Sequence, residues 1–321
     1  MSDPKLTVCV ITYNQEAYIG RCLESLVDQV TNFAFEIVVG DDCSRDGTRA
    51  VIEEFRQRYP DIVRPLLQPA NSGGSRNYLD VHAAARGEYV AHVDGDDYAL
   101  PGKLQAQVDM LDRDPACNVV WHRMDLFDDV GGFCSGLTAD LSSFPDGRVE
   151  FSDAAKLGYV AAHSSIMYRR AARTPLTDFE GPILDIYLTW DLLCAGHGRV
   201  LDEVFGRYRV SAPGSLTAAN DLFMRRLAIA HAREFLHRKP RSRHDFGLWA
   251  MSNVIIDIKG ARPTALDYAR FALECGVSFD PRKLLRNLVR MKRTQVRWDD
   301  RERPKQSAIG AKDAAELMPW R

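Results

Sequence analysis

The sequence lacks the features that mark membrane-spanning, exported and zinc-binding proteins. No apolar run in its 321 residues approaches the ~20 residues that a transmembrane helix requires. The N-terminal stretch MSDPKLTV does not have the charged and then apolar order of a signal peptide, so we expect neither export nor membrane insertion. The seven cysteines are scattered, odd in number and without C-x-x-C spacing. This argues against a disulfide framework or a zinc site and favours a cytoplasmic protein.

The small net charge of −2 conceals an uneven distribution along the chain. Residues 1–221 carry an excess of 13 acidic side chains, and residues 222–321 carry an excess of 11 basic ones. Near the same point the hydrophobic pattern changes from alternating strand and helix signals to helix signals alone. We therefore predict a boundary near residue 220, between a first region, 1–220, and a second, 221–321.

Strand and helix signals alternate through the first part of the chain. Leu6–Ile11 and the stretch FEIVVGDD predict buried strands, and QEAYIGRCLESLVDQ predicts a helix because its apolar residues recur at helical spacing. This alternation predicts an α/β fold with a mainly parallel, Rossmann-like sheet covered by helices on both faces. In such sheets ligands bind at the carboxyl ends of strands, near a topological switch point.

Acidic residues cluster at two of these predicted strand ends. Asp41 and Asp42 end one strand, and Asp94, Asp96 and Asp97 follow another in EYVAHVDGDD. Carboxylates this close repel one another, and burying them without partners is costly. A divalent cation would remove the repulsion, since Mg²⁺ prefers one or two carboxylates together with substrate phosphates. A solvated acidic turn that caps the next helix is the alternative interpretation.

Four motifs together resemble the nucleotide-sugar half of inverting glycosyltransferase family 2, which has the GT-A fold. They are VCVITYNQEAYIGRCLESLVDQ, FEIVVGDDCSRDGT, NSGGSRN and ARGEYVAHVDGDD, in the family's order and spacing. HSSIMYRR and the stretch around ILDIYLTWDLL resemble, more loosely, the acceptor half of bacterial polysaccharide-building members. The resemblance implies a nucleotide-sugar half, 1–125, an acceptor half, 126–220, and a helical C-terminal region, 221–321.

The resemblance implies a donor-binding role for several matching residues. Thr12, Tyr13 and Asn14 would line the nucleotide pocket. Asp42 would bond the edge of a pyrimidine, which favours UDP or dTDP over GDP, and Arg76 would lie near the base or the diphosphate. Local roles stay open for the last two residues: Asp42 as a helix cap and Arg76 as an ion-pair partner.

The resemblance also implies a metal-dependent, inverting sugar transfer. Asp94 would contact the ribose and the metal, and Asp96 would hold Mn²⁺ or Mg²⁺ directly. Asp185 would be the general base that deprotonates a hydroxyl of a saccharide or lipid-linked acceptor. Asp191 is the competing base, and Asp185 could instead be an acid favoured by the dipole at a helix N-terminus.

One segment departs from the family pattern. Many relatives have Tyr-Arg-x-His after the acceptor half, with a histidine that helps to hold the metal or the diphosphate; here the stretch is YRVS, with Ser211 in that place. Two consequences are open: weaker metal binding, or a part of the diphosphate contact taken over by Arg207 and Arg209. Residues 213–215 are predicted to form a closing loop, and the glycine- and serine-rich residues 131–150 a loop over the acceptor site or a surface excursion.

The region 221–321 predicts helices, since its apolar residues recur at spacings of three and four. The last helix is basic from Arg282 to Arg297, with apolar residues interleaved. One interpretation is an amphipathic helix that lies on anionic lipid at the inner face of the cell membrane. The other is a solvated face of a helical bundle, with a contact in a homo-oligomer. Nucleic-acid binding is not expected, because no recognisable module accompanies the charge.

Three classes of function remain in play. The leading one is a metal-dependent inverting glycosyltransferase of cell-surface polysaccharide synthesis. A sugar-phosphate nucleotidyltransferase should show a glycine-rich G-x-G-T-R-type loop after the first strand, where this chain has ITYNQEAY. A non-catalytic scaffold that kept the GT-A fold is the third class, suggested by Ser211.

Overall fold

The computed structural model describes residues 4–128, 132–174, 181–210, 221–276 and 280–294. The predictions made above for Ser211, for the loop 213–215 and for Arg297 concern residues outside these ranges.

The first half of the chain alternates strands and helices in the predicted order. The strands are β1 (Leu6–Thr12), β2 (Phe35–Asp41), β3 (Val63–Leu67), β4 (Tyr89–Asp94) and the two-residue β5 (Tyr98–Ala99). The helices are α1 (Glu16–Val27), α2 (Thr48–Arg58), α3 (Gly74–Ala83) and α4 (Lys103–Arg113). After α3, the amides of Arg86 and Gly87 donate to Thr7 Oγ1 and lead the chain into β4.

The second half adds shorter strands and the C-terminal helices. The strands are β6 (Cys117–Asp128), β7 (Gly132–Leu137), β8 (Arg148–Val149), β9 (Met167–Arg169) and β10 (His197–Arg209). The helices are α5 (Phe151–Leu157), α6 (Asp185–Leu192), α7 (Asp221–Arg238), α8 (Arg243–Lys259), α9 (Thr264–Glu274) and α10 (Pro281–Thr294). The stretch predicted as a loop from residue 131 therefore contains a strand, because β7 pairs with β6 as a hairpin.

The strands form one mixed sheet in the order β3-β2-β1-β4-β9-β6-β10-β5, with β7 paired to β6 and β8 to β10. Strands β1 to β4 are mutually parallel, as are β6 and β10, whereas β9 is antiparallel to both of its neighbours. The chain first runs from β1 outward to β3 and then returns to place β4 on the other side of β1. The topological switch point therefore lies between β1 and β4.

Helices cover both faces of the sheet, as predicted. Side chains alternate along β1, so that Val8 and Val10 pack toward α1 and α4 while Cys9 packs toward α3. Both faces of the central strands are therefore buried, which is why these strands are almost continuously apolar. None of the helices that the structure describes has the length and apolar character needed to cross a membrane.

The C-terminal helices share one core with the second half of the sheet. Trp190 of α6 packs edge-on against Phe235 of α7 and Phe246 and Trp249 of α8, at ring-centroid distances of 5.6, 5.0 and 5.9 Å. Phe151 of α5 closes the cluster, 6.2 Å from the Phe235 ring. All five rings are buried. This aromatic core joins α5 and α6 to α7 and α8.

Candidate active site

The switch point brings together the ends of β1, β2 and β4. Ile11 is in register with Asp94, and Thr12 with Asp41. The amide of Asp42 donates to the carbonyl of Thr12 at 3.1 Å, so the predicted site residues of three strands meet at one edge of the sheet. The sequence alone predicted this meeting, because the carboxyl ends of parallel strands lie on the same side.

The turn after β1 is fixed by side-chain hydrogen bonds to the turn after β2. Asn14 has a positive φ of 51°, its amide donates to Ser44 Oγ, and its Oδ1 accepts from the amide of Arg45, both at 2.8 Å. Thr12 Oγ1 donates to Gln15 Oε1 at 2.8 Å. Tyr13 is half-buried between them. The three residues predicted to line the nucleotide pocket therefore form one rigid turn.

Asp42 holds the turn that leads into α3. Its Oδ1 accepts from the amide and the hydroxyl of Ser72 at 2.7 and 3.0 Å, and its Oδ2 accepts from the amide of Gly73 at 2.9 Å. These bonds hold Ser72 and Gly73, just before α3, and do not reach the helix of SRDGT that the alternative interpretation of Asp42 as a cap concerned. Arg76, in the first turn of α3, is exposed and pairs with Asp80 at 2.7 Å. The predicted base and diphosphate contacts of Asp42 and Arg76 stay predictions.

Three carboxylates crowd the turn after β4. Gly95 permits this turn, because a Cβ there would lie 2.5 Å from Gln15 Oε1 and 3.0 Å from the Ile11 carbonyl. Burial and the charge of Asp94 raise the pKa of Asp96 to about 6. Burial and the charges of Asp96 and Asp94 raise the pKa of Asp97, whose buried Oδ2 has no hydrogen-bond partner. The acidic turn, residues 94–97, therefore contains more negative charge than its surroundings neutralise.

Asp94 is the carboxylate of the acidic turn that the protein itself stabilises. Its Oδ1 lies 3.1 Å from His92 Nε2, its Oδ2 accepts from Ser164 Oγ at 3.3 Å, and its amide donates to Ser164 Oγ at 2.9 Å. Burial opposes ionisation of Asp94, but the hydrogen bonds from His92 and Ser164 outweigh it and lower the pKa to about 2. Asp94 therefore stays ionised while Asp96 and Asp97 are shifted toward the neutral form.

Two cations lie beside the acidic turn. Lys103, at the start of α4, is only 1% exposed; its Nζ donates to the Ser164 carbonyl at 2.6 Å. Burial lowers the pKa of Lys103 to about 8, and the carboxylates of Asp97 and Asp94 oppose this shift. Sequence reasoning missed Lys103. A lysine at the first position of a helix is disfavoured by the helix dipole, and that misfit was the available signal.

The second cation is Arg209, at the end of β10. Its Nε donates to the carbonyl of Asp96 at 3.0 Å, and its guanidinium lies 4.0 and 4.5 Å from the ring centroids of Tyr18 and Phe127. Arg207, the other predicted diphosphate ligand, pairs with Asp125. The structure thus brings Arg209, rather than Arg207, against the acidic turn.

Asp185 and Asp191, the two candidate bases, have different environments. Asp185 begins α6, is exposed to solvent, and its Oδ1 accepts from the amide of Ile186 at 2.7 Å. Burial of the surrounding crevice and the charge of Asp94 raise its pKa. Asp191 is buried and accepts from Thr174 N, Thr174 Oγ1 and Arg238 Nη2 at 2.8, 2.7 and 2.6 Å. Of the two carboxylates, only that of Asp185 is exposed to solvent.

A contact between α3 and the segment before α6 places Asp185 on the same side of the molecule as Asp94. The amide of Ile183 donates to Ser75 Oγ at 3.2 Å. Within the part of the chain that the structure describes, no three histidine, cysteine, aspartate or glutamate side chains converge on one point as a complete metal site. A cation at Asp94 and Asp96 would therefore need water or substrate oxygens for the rest of its shell.

Comparison with known proteins identifies the family to which this chain belongs. The family model for glycosyl transferase family 2 matches residues 7–174. An uncharacterized protein of Mycobacterium tuberculosis (strain H37Rv) is 35% identical over 213 residues, which cover 65% of this chain and 60% of that protein. The putative glycosyltransferase EpsE of Bacillus subtilis (strain 168) is 32% identical over 181 residues, 56% of this chain and 61% of EpsE. The aligned part of the chain thus spans about three fifths of the length of these curated relatives.

A solved structure shows the same fold. The crystal structure of S. aureus TarS 1-349 in complex with UDP-GlcNAc superimposes with a TM-score of 0.58 and 23% identity, covering 76% of this chain and 71% of that one. The full TarS of Staphylococcus aureus (strain Mu50), a poly(ribitol-phosphate) beta-N-acetylglucosaminyltransferase, is 43% identical over 111 residues, 34% of this chain and 19% of TarS. The predicted GT-A fold with a helical C-terminal region is confirmed.

Proposed function

The chain belongs to glycosyl transferase family 2, and from that premise we propose that it transfers a sugar from a nucleoside-diphosphate sugar to a saccharide hydroxyl with inversion. One observation carries the proposal. The acidic turn lies at the switch point, where a donor would bind, and the exposed carboxylate of Asp185 is near enough for the charge of Asp94 to raise its pKa. These two groups support a donor site beside a candidate base.

The residues of the acidic turn fit a divalent cation. The raised pKa values of Asp96 and Asp97 and the unpartnered Oδ2 of Asp97 indicate that a positive charge is missing there. Asp94 and Asp96 offer oxygen ligands, the type that Mg²⁺ and Mn²⁺ prefer. When bound, such an ion supplies Lewis-acid stabilisation of the departing diphosphate. The nearby Arg209 would add positive charge to the same leaving group.

Asp185 is the general base of the proposed reaction. Its raised pKa suits proton abstraction near neutral pH, because a stronger base accepts the acceptor's proton more readily. The acceptor oxygen forms a bond to the anomeric carbon from one face as the bond to the diphosphate breaks on the other. The hydroxyl proton passes to Asp185 Oδ, and the nucleoside diphosphate leaves with the bonding electrons. No covalent enzyme intermediate is needed.

The substrate class follows from the named relatives. TarS acts on a poly(ribitol-phosphate) polymer, and its solved complex contains UDP-GlcNAc. We propose a UDP-sugar as donor and a cell-surface polysaccharide or its lipid-linked precursor as acceptor. Asp42, placed beside the turn after β1, is the residue proposed to select a pyrimidine base.

A donor screen tests the proposal. The full chain is incubated with UDP-, dTDP- and GDP-sugars, with Mn²⁺ or with a chelator, and with saccharide acceptors. Metal-dependent release of UDP coupled to acceptor glycosylation supports the proposal, and NMR of the product reports whether the anomeric centre inverts. Pyrophosphate formation from a sugar phosphate and a nucleoside triphosphate would instead identify a nucleotidyltransferase. UDP binding without turnover on any acceptor would favour a scaffold.

Helix α10 supports a further proposal, that the protein lies on anionic lipid at the inner face of the cell membrane. Its outer face carries Arg282, Leu285, Arg286, Val289 and Arg293, at spacings that place them on one side of the helix. Leu285 and Val289 are 64% and 43% exposed. Exposed apolar side chains between arginines suit the boundary between headgroups and acyl chains.

Arg290 does not belong to this proposed lipid-facing surface, although it lies within the basic stretch Arg282 to Arg297 that the sequence predicted for it. Its Nη2 donates to the Ser143 carbonyl at 2.7 Å and to Asp153 Oδ1 at 2.9 Å. The correction follows from the helical period, since Arg290 lies near Asn287 and Met291 on the buried side.

A further inference from the structure

A continuous chain of hydrogen bonds runs beneath the acidic turn. His92 Nε2 lies 3.1 Å from Asp94 Oδ1, and His92 Nδ1 lies 3.0 Å from His82 Nε2. His82 Nδ1 lies 2.8 Å from the Tyr168 hydroxyl, to which Arg173 Nη1 donates at 3.2 Å. The chain joins a guanidinium at one end to the carboxylate at the switch point at the other. We call it the imidazole chain.

Both ends of the imidazole chain dictate the same direction of donation. A guanidinium only donates and an ionised carboxylate only accepts. Asp94 therefore requires a proton on His92 Nε2, and with one proton on each ring His92 Nδ1 accepts from His82 Nε2. His82 Nδ1 in turn accepts from the Tyr168 hydroxyl, whose oxygen accepts from Arg173. Every hydrogen bond of the chain then points toward Asp94.

The imidazole chain is buried. His82, His92 and Tyr168 are 4%, 0% and 1% exposed, so water does not compete for their hydrogen bonds. Burial, reinforced by the charges of neighbouring groups, lowers the pKa of His82 well below its ordinary value, so its ring is neutral. His163 covers the ring of His92, with the centroids 4.2 Å apart. The two histidines are therefore polar links in an otherwise closed core.

The imidazole chain contacts one side of the Asp94 carboxylate and leaves the other side open. Oδ1 accepts from His92, and Oδ2 accepts from Ser164. A carboxylate has about four lone-pair sites, so each oxygen keeps one for a ligand at the switch point. His92 and Ser164 donate to one side of each oxygen, and they thereby fix the direction in which the remaining lone pairs point.

We propose that His92, His82 and Tyr168 are positioning residues, which orient Asp94 and polarise its carboxylate toward the ribose and cation of a bound nucleotide. The proposal rests on the donor-binding function proposed above. Loss of a residue that hydrogen-bonds to a metal ligand typically lowers metal affinity or activity by roughly 10–100-fold. Aligned hydrogen bonds also strengthen one another, so a change at Tyr168 should be felt at Asp94.

The direction of the imidazole chain is measured directly by NMR on the wild-type protein labelled with ¹⁵N-histidine. Both His82 and His92 should carry their proton on Nε2 at neutral pH, with Nδ1 unprotonated. Protonation of Nδ1 in either ring would overturn the proposal. This measurement needs no substrate, so it decides the direction even if the protein proves not to bind a nucleotide.

The effect on Asp94 is measured by calorimetric titration with UDP, in Mn²⁺ and in chelator. His92→Phe should reduce the gain in UDP affinity that Mn²⁺ provides by about tenfold or more. His92→Gln, whose amide can both donate and accept, should restore part of it. Tyr168→Phe, which removes one oxygen from the far end, should give a smaller loss and should fold even if His92→Phe does not.

Tyr89→Phe is the matched control for Tyr168→Phe. Tyr89 lies at the other end of β4 and donates from its hydroxyl to Asp112 at 2.6 Å. Its loss should leave the Mn²⁺-dependent gain unchanged. Equal UDP affinities in wild type, Tyr168→Phe and His92→Phe would refute the positioning role, whereas failure of the wild type to bind UDP would refute the proposed function.

Discussion

The amide of Arg209 donates to Asp97 Oδ1 at 2.7 Å, and through this bond strand β10 holds the acidic turn that follows β4. The Arg209 side chain repeats the connection, since its Nε donates to the Asp96 carbonyl while its guanidinium lies between Tyr18 and Phe127. One residue thus fixes the shape of the acidic turn and supplies positive charge beside it.

Arg209→Lys should weaken nucleotide binding more than Arg207→Lys does. A lysine keeps the charge but cannot both stack between two rings and donate in the same plane. We expect the dissociation constant for UDP in Mn²⁺ to rise about tenfold, which corresponds to about 1.4 kcal/mol. Calorimetric titration measures it, with Arg233→Lys on the outer face of α7 as the control. A larger loss of UDP affinity in Arg207→Lys would assign the diphosphate contact to Arg207 instead.

Asp185→Asn should reduce turnover while donor binding survives. The amide keeps the shape of the side chain but cannot accept the acceptor's proton, so kcat should fall roughly 100-fold or more. UDP-sugar hydrolysis and transfer assays measure kcat, and titration measures the UDP affinity. A variant that retains wild-type kcat would rule Asp185 out as the base.

Asp191→Asn should act on stability instead. Asp191 is buried against Thr174 and Arg238, and the amide would leave part of that network unsatisfied, at a cost of roughly 1–3 kcal/mol in the free energy of unfolding. Urea unfolding measures the loss. Loss of kcat with unchanged stability in this variant would mean that the competing carboxylate is the base.

Asp96 should destabilise the metal-free protein at neutral pH. Its pKa is about 6 in the folded state and about 4 in an unfolded chain, so the folded state binds more protons between these values. The free energy of unfolding should therefore fall as pH rises from about 4 to 6 and stay low above it. Asp96→Asn should remove this term and raise stability at pH 7 by at most about 3 kcal/mol, since one pKa unit is about 1.4 kcal/mol.

Urea unfolding in chelator at pH 5 and pH 7.5 checks this prediction. Asp202→Asn, an exposed aspartate paired with Arg123, is the control and should change little. In transfer assays and in titrations with UDP, Asp96→Ala should abolish sugar transfer and the Mn²⁺ dependence of UDP binding. If UDP binding by Asp96→Ala depends on Mn²⁺ as it does in the wild type, the metal does not bind at the acidic turn.

The outer face of α10 should bind anionic vesicles. Replacing both Arg282 and Arg286 with Gln should weaken binding about 30-fold, because each basic residue near the surface contributes about 1 kcal/mol. Vesicle sedimentation at low salt measures it, and Arg56 and Arg58 of α2, replaced together, provide the control. Absence of wild-type binding, with an elution volume that depends on protein concentration, would instead identify this face as a contact between copies.

The sequence was sufficient to predict the sheet and the edge where the site lies. Strand and helix periods are local signals, and parallel topology follows from their alternation, so the positions of Asp94 and Asp42 could be derived. The antiparallel strand β9 could not, because three residues give no period and its pairing with β4 and β6 depends on distant contacts.

The partners of the acidic turn were also beyond the sequence. His82 and His92 are ten positions apart, on a helix and a strand, and only the packing of α3 on the sheet brings their rings together. His92 lies in the apolar run of β4 and is fully buried, but its hydrogen bonds could not be foreseen from the sequence. Asp185 and Asp191 were indistinguishable until the neighbours of each carboxylate were known.

The aromatic core around Trp190 limits how the protein can be divided for laboratory work. A fragment that stops near residue 220 would leave the inner rings of α5 and α6, Phe151 and Trp190, without the rings of α7 and α8 that cover them. An apolar surface of that kind promotes aggregation. Expression of the nucleotide-sugar and acceptor halves should therefore retain α7 and α8, even in experiments that concern sugar transfer alone.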